Sequence, residues 1–440
     1  MLTVLFVSYF FPPVGGAGSQ RSQKFVKFLR NHDIELVVLA GPTRLNGRWT
    51  PGDESLEADL PAEVSVHRIE ICARTKRTVA TRAQRWCRIP SKHSRTWADA
   101  AVETGAEIGK GCDLILATMS PFESAEVGRR LSSRLGVPWV ADLRDPWALD
   151  EMQVYPTIVH RWIEERKMGR ELETASLTVM NTPEAAHVAR RAFPSLAGRI
   201  ISIPNGFDDE DFSGPVPATS ADTFRIVHAG ALHTDLAMRT RRRSLPALLG
   251  GTEPNVNFLT RTHVYLLRAL ERWFRDCPEA RGVCEVILAG ETTAADRYVV
   301  TESSISEIIT LTGYRSHVDT LALVRQADLL FLPMHTLPPD RRARIVPGKT
   351  YEYMASGRPI LAAVPEGDAR DILTECGTAF VTWPDDVDRM VEIINRVYRA
   401  WVGSEPLPLP TRAVRTMYER RVLAATMAQA LRRAASGDYV

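Results

Sequence analysis

The feature that most constrains this chain is a rhythm of short, β-branched apolar runs separated by longer amphipathic stretches, which begins at the first residues and starts over near the middle. Such an alternation specifies parallel sheets joined by crossover helices, an α/β fold. In the first half the expected strands are Leu2–Ser8, Ile34–Ala40, Val66–Ile71, Leu114–Thr118, Trp139–Asp142, Leu177–Met180 and Ile200–Ile203, with helices over Ser19–Asn31 and Ile158–Ala175 among those between them. The second series is Phe224–Ala229, Glu285–Ala289, Ile308–Leu311, Leu329–Leu332, Ile360–Ala363 and Ala379–Thr382. Each series opens with an apolar strand that runs into glycine: Gly15, Gly16 and Gly18 in one, Gly230 in the other. The echo is architectural and has no fixed period.

Two domains follow from this restart, and 440 residues accommodate them. Residues 1–205 form the first domain and 224–405 the second. Residues 206–223, polar and rich in Pro, Gly and Ser, read as a hinge, and 406–440 as a helical segment packing back toward the first domain. A net charge of +2 offers no global field for nucleic acid, and none is expected as a partner. The six cysteines include no C-x-x-C pair and no zinc spacing, so they read as reduced, buried thiols of a cytoplasmic protein. The opening MLTVLFVSYFFPPVGGAG has no basic residue before its apolar run and breaks at Pro12-Pro13, which suits a first strand better than a signal peptide. No apolar run reaches the roughly 18 residues of a membrane span. The expected location is cytoplasmic, at most peripheral at the inner face of a membrane.

The most specific segment runs from Pro347 to Leu361, PGKTYEYMASGRPIL. A helix starting near Pro347 would aim its free N–H groups and positive pole at an anion. Lys349 in the first turn opposes the usual charge preference there, a conflict that a bound phosphate resolves. Glu352, three residues on, shares a face with Lys349, so the pair could serve a diphosphate and a ribose diol. It could equally be an i,i+3 ion pair on a capped surface helix. Gly357 ends the helix and Pro359 leads into the next strand.

In the first half, Asp142, Arg144 and Asp145 follow an apolar strand, at the end where open α/β sheets bind ligands. They could orient an acceptor hydroxyl and pair with an acidic group, or simply lock the loop. Gly15–Gly18 is neither G-x-G-x-x-G nor a Walker loop, yet it allows backbone amides to approach a ligand. Gln20 and Arg21 open the next helix within reach of an acceptor or phosphate. Asn205-Gly206 reads first as a turn. His228, His233 and His317 read more readily as structural than as catalytic.

The Pro347–Leu361 segment resembles the P-x-K-x-x-E-Y-x-A-x-G-x-P signature of glycosyltransferase family 4 in the GT-B superfamily. The resemblance extends, motif by motif, over most of the chain. It includes Gly15–Gly18, Val140-Ala-Asp-Leu-Arg-Asp-Pro-Trp147, Ile203-Pro-Asn-Gly-Phe-Asp208, His228-Ala-Gly-Ala231, Leu288-Ala-Gly290, Gly313-Tyr-Arg-Ser-His317 and Ala327-Asp-Leu-Leu330. It implies two facing Rossmann-like domains with a ligand cleft between them, and transfer of a sugar from a UDP- or GDP-linked donor to an acceptor hydroxyl with retention of configuration. No cofactor beyond that donor substrate and no metal are implied. By matching positions, Lys349 contacts the donor diphosphate and Glu352 the ribose. Gly16, Gly230, Arg315 and Thr350 join them at the donor, with a basic residue from Arg239, Arg241, Arg242 and Arg243. Lys349, Asp142 and Arg144 are the expected catalytic residues. Gly15, Gln20, Arg21, Ser120 and Asp145 are the expected acceptor-binding residues.

Two departures stand out. Arg344 occupies the place of the first glutamate of the family's Glu-x7-Glu motif, which leaves the choice of sugar open. After Ser120-Pro121 the chain carries Glu123, Ser124 and Glu126 where relatives often have a histidine. A catalytically silent GT-B subunit and a sugar-nucleotide epimerase are the competing readings. The stretch 74–97 carries eight cations, no acid, and Trp86 and Trp97. It suits an anionic membrane surface and a lipid-linked acceptor, but also a solvated loop or an anionic soluble acceptor.

Overall fold

In a computed structural model describing residues 1–45, 47, 50–71, 92–215, 222–241, 245–408 and 411–438, each apolar run named above becomes a strand of a parallel sheet. The first sheet comprises β1 (Leu2–Ser8), β2 (Ile34–Ala40), β3 (Ser65–Arg68), β4 (Leu114–Met119), β5 (Trp139–Leu143), β6 (Leu177–Met180) and β7 (Ile200–Ser202), in the order β3-β2-β1-β4-β5-β6-β7. The second comprises β8 (Phe224–Ala229), β9 (Cys284–Ala289), β10 (Ile309–Gly313), β11 (Leu329–Pro333), β12 (Ile360–Ala363) and β13 (Ala379–Thr382), in the order β10-β9-β8-β11-β12-β13. The α/β class therefore holds, with two sheets of seven and six strands.

Successive side chains of a strand point to opposite faces, and both faces of each sheet are covered. Along β1, Leu5 and Val7 enter one core with Ile115, Ala117 and Trp139. Val4 and Phe6 enter the other with Leu114, Leu116 and Val140. The helix Arg420–Ser436 closes that second core through Leu423, Met427 and Leu431.

The chain packs as two compact units. One is Met1–Asn205 with Leu248–Thr252 and Arg420–Val440; the other is Gly206–Ala247 with Glu253–Glu419. The C-terminal segment 406–440 is thus shared, the helix Arg412–Met417 going with the second unit and Arg420–Ser436 with the first. The short excursion Leu248–Thr252 joins the first unit through backbone bonds from Tyr155 N to Gly251 O (2.7 Å) and from Ile158 N to Leu249 O (2.9 Å). The stretch 206–223 is not loose throughout. Phe207 is buried and pairs with Glu419, and Asp208 caps the short helix Asp209–Phe212, while residues 216–221 lie outside the described residues.

The basic stretch 74–97 falls outside the described residues up to 91. Trp97, which one reading of this stretch would place on a membrane surface, is a core residue. It is 1% exposed and meets the Tyr9 ring edge-on at 4.9 Å, because the helix Lys92–Ile108 packs this face on the first sheet. Among the described residues, no helix is long and apolar enough to cross a membrane.

Each sheet contains one point where the strand order reverses: β1 beside β4 in the first, β8 beside β11 in the second. The loops leaving the carboxyl ends of those strands go to opposite sides there, the usual ligand position in open α/β sheets.

Candidate active site

The second unit gathers cationic side chains at its reversal point. The helix Lys349–Ser356 begins at Gly348 without a side-chain cap and ends on Gly357 in the left-handed region. Its face from Thr350 to Ala355 is buried, so the surface ion-pair reading of this segment does not hold. Tyr353 fixes the helix in place: its hydroxyl accepts a 2.7 Å hydrogen bond from Ala229 N at the end of β8. Burial holds the Tyr353 phenol well above its usual pKa, so it stays neutral. This pin sets Lys349 over Gly230, where a Cβ would stand only 2.7 Å from the lysine Nζ. Gly230 has a φ of +101°, and Gly290 at the end of β9 has +146°. A Cβ on Gly290 would lie 2.6 Å from the Gly230 carbonyl atoms. Glycine at both positions is what allows two strand ends to nest beneath one ammonium.

Lys349 Nζ lies 3.2 Å from His228 Nε2, whose Nδ1 is 3.0 Å from the Phe331 carbonyl. A proton on Nδ1 satisfies two contacts at once, Nδ1 donating to the Phe331 carbonyl and Nε2 accepting from the lysine, whereas a proton on Nε2 would satisfy only the Gly230 carbonyl. The Gly230 carbonyl, 3.1 Å from the same Nε2, receives no bond in this tautomer. Burial, reinforced by Lys349, pushes the His228 pKa well down, which keeps the ring neutral. Burial of the ammonium, reinforced by the Arg261 guanidinium, brings Lys349 down to about 7. Glu352 works in the opposite direction to a smaller degree.

Arg261, at the end of the short helix Phe258–Arg261, was not among the residues expected from sequence, and its Nη1 is 3.4 Å from His335 Nδ1. Arg261 stands near enough to Lys349 to lower its pKa, and two neighbouring cations are the chemistry that suits an anion. Thr350 is fully buried with no hydrogen-bond partner for its Oγ1. Glu352 Oε1 is 3.1 Å from His317 Nε2, with both side chains largely buried.

Of the basic run 239–243, the side chain described is Arg239, and it takes no part in this. Arg239 is 78% exposed and faces Asp235 one turn away at 3.8 Å, because the helix Thr234–Arg241 turns it to solvent. The Arg241 side chain, Arg242 and Arg243 lie outside the described residues. Arg315 is exposed ahead of the helix His317–Gln326. Arg344 lies 3.8 Å from Glu253, which also binds Arg341, so its charge is shared with a buried carboxylate.

In the first unit, Gly15 is buried and Gly16, at φ +86°, caps the helix Ala17–Leu29. Gln20 is partly buried in its first turns. Arg21 and Asp142 form a buried ion pair at 2.7 Å. Thr118 also donates to Asp142, and Arg21 reaches the Pro204 carbonyl and Asn205. Both Asp142 oxygens are thereby engaged, so the carboxylate anchors Arg21 rather than standing open to an acceptor. Arg144 lies beside them, 3.4 Å from the Ser120 carbonyl and 3.9 Å from the half-exposed Asp145.

Residues 253–400 match the family model described as Glycosyl transferases group 1. That span contains Arg261, His317, Lys349 and Glu352. No curated protein matches the chain by sequence at a significant level. Among solved structures, sucrose-phosphate synthase from Thermosynechococcus elongatus aligns with a TM-score of 0.67 and 15% identity, covering 98% of this chain and 99% of that one. HepE of Anabaena, in complex with UDP and glucose, aligns with a TM-score of 0.61 and 17% identity, covering 98% and 100%. A glycosyltransferase from Rickettsia africae aligns at 0.60 and 11%, covering 98% of each. At these identities the likeness establishes the two-sheet GT-B fold.

Proposed function

We propose that this protein is a glycosyltransferase that takes its sugar from a nucleoside-diphosphate donor bound at the end of β8. The observation that carries the reading is Lys349 Nζ set over the Gly230 turn at the end of β8, with Arg261 near enough to repel it, within the span that matches the glycosyl transferases group 1 model. The diphosphate lies against these two cations and the uncapped start of the helix Lys349–Ser356, and the ribose hydroxyls meet Glu352. His317 orients that carboxylate. HepE, which shares the fold, was solved with UDP and glucose, and this supports a uridine donor here.

Catalysis on this reading is electrostatic. As the bond from the anomeric carbon to the phosphate oxygen breaks, charge gathers on the diphosphate, where Lys349 and Arg261 already stand. The acceptor hydroxyl adds on the face the diphosphate leaves, and its proton passes to the departing phosphate oxygen. The sugar therefore keeps its configuration with no protein nucleophile, and two fixed cations take the role a metal would otherwise fill. The test is incubation with a panel of UDP- and GDP-sugars, with and without candidate acceptors, read by mass spectrometry. Glycosylated acceptor and free nucleoside diphosphate support the proposal. Isomerised nucleotide sugar, or binding of a donor without turnover on any acceptor, refutes it.

A further inference from the structure

We propose that the first unit holds an oxyanion on Arg144, and that the sugar acceptor is therefore an acidic molecule, carrying a phosphate or a carboxylate. The word acceptor rests on the glycosyltransferase reading; the anion site does not. Two guanidiniums, Arg21 and Arg144, sit at the carboxyl edge of the first sheet. They share one buried carboxylate. Arg21 holds Asp142 through both oxygens, at 2.7 to 3.2 Å. For Arg144 there remain the Ser120 carbonyl at 3.4 Å, the half-exposed Asp145 at 3.9 Å and the Phe10 ring at 4.9 Å. None of these is a close charged partner, although the Arg144 side chain is only 12% exposed. A guanidinium so enclosed without a tight anion is expensive, and a bidentate oxyanion would relieve it. Burial holds the Arg144 pKa below that of a free arginine, against the pull of Asp145 and Asp142 and with a smaller push from Arg21.

The position is also where a ligand belongs. Arg144 bonds the chain leaving β4 at Ser120 and lies against Gly18 in the first turn of the helix that follows β1, the two strands between which the order reverses. The helix Ala17–Leu29 starts there with no side-chain cap and no acid in its first turn. Ser19, in that turn, is fully buried with no partner for its Oγ. A helix start without a side-chain cap, an unsatisfied hydroxyl and a guanidinium with only long contacts to its acceptors lie in one place.

The test is 31P line broadening of glycerol 3-phosphate by the full chain at constant ionic strength, with saturating UDP present to occupy the second unit. Broadening by wild type, lost in Arg144→Gln and weakened but not lost in Arg144→Lys, which keeps the charge without the fork, is expected. Gly18→Ala provides a variant that leaves the charge in place. Its Cβ would stand 2.4 Å from Arg144 Nη1 and displace the guanidinium, so broadening should fall at least several-fold. A parallel arm measures sedimentation with phosphatidic acid vesicles. An Arg144-dependent response to the soluble ester or to the vesicles supports the site and identifies its source. No response to either in wild type, or equal responses in wild type and both Arg144→Gln and Gly18→Ala, overturns it. UDP binding is scored separately, so failure of the donor reading and failure of this one are distinguishable.

Discussion

Binding of a nucleoside diphosphate should draw a proton out of solution at alkaline pH, and Lys349 should be the group that takes it. In the free protein, burial first and Arg261 second lower this lysine from 10.5 to about 7. The difference corresponds to about 5 kcal/mol of disfavoured charge. A diphosphate placed against the ammonium reverses the sign of the local field and restores the proton. At pH 8, one unit above its pKa, the free lysine is about 90% neutral, so binding should take up about 0.9 proton; at pH 6 it should take up about 0.1. Affinity should fall by up to about tenfold per pH unit above 7. Isothermal titration of UDP in buffers of different ionisation enthalpy reads the uptake directly, and Lys349→Met should abolish it. The same lysine sets a stability slope. Its folded pKa lies below its unfolded one, so between about 7 and 10.5 the unfolded chain binds more protons and stability from this group rises with pH. UDP binding with less than about 0.2 proton taken up at pH 8, or uptake unchanged in Lys349→Met, would refute the assignment.

Tyr353→Phe removes the acceptor of the Ala229 N–H and should cost about 1–3 kcal/mol in chemical denaturation, with a fall in turnover as Lys349 loses its register. Gly290→Ala forces both a positive φ and a 2.6 Å contact with Gly230, so it should destabilise the second unit by several kcal/mol and abolish nucleotide binding, read by thermal melting with and without UDP. Because two protein cations meet the diphosphate, exhaustive EDTA treatment should leave initial transfer rates unchanged; loss of activity restored by a divalent cation would contradict that.

The strands were legible because parallel strands covered on both faces must be apolar throughout, and their carboxyl ends then follow from glycine. Lys349 was legible because a cation in a first helical turn is a local anomaly, visible within one segment. Its partner was not. Arg261 arrives on a separate short helix, and nothing local distinguishes it from the clustered arginines of 239–243 that follow β8 more closely. The same limit hid the role of Asp142: its partner Arg21 lies 121 positions away, and only the fold shows that both carboxylate oxygens are spent. It also hid the docking of Leu248–Thr252 on Tyr155 and Ile158, which backbone bonds create without a side-chain signal. Burial decided Trp97 in the same way, since a tryptophan beside cations reads alike whether it faces lipid or a core.

The central claim is that the end of β8 is a nucleoside-diphosphate site governed by Lys349, and thermal melting with UDP and GDP tests it most directly. Wild type should melt higher with one of the two, by about 2.7 kcal/mol of added stability at one hundred times Kd, and Lys349→Ala should show no such rise while melting normally alone. No shift with either nucleotide at millimolar concentration, or the same shift in Lys349→Ala, would contradict the account.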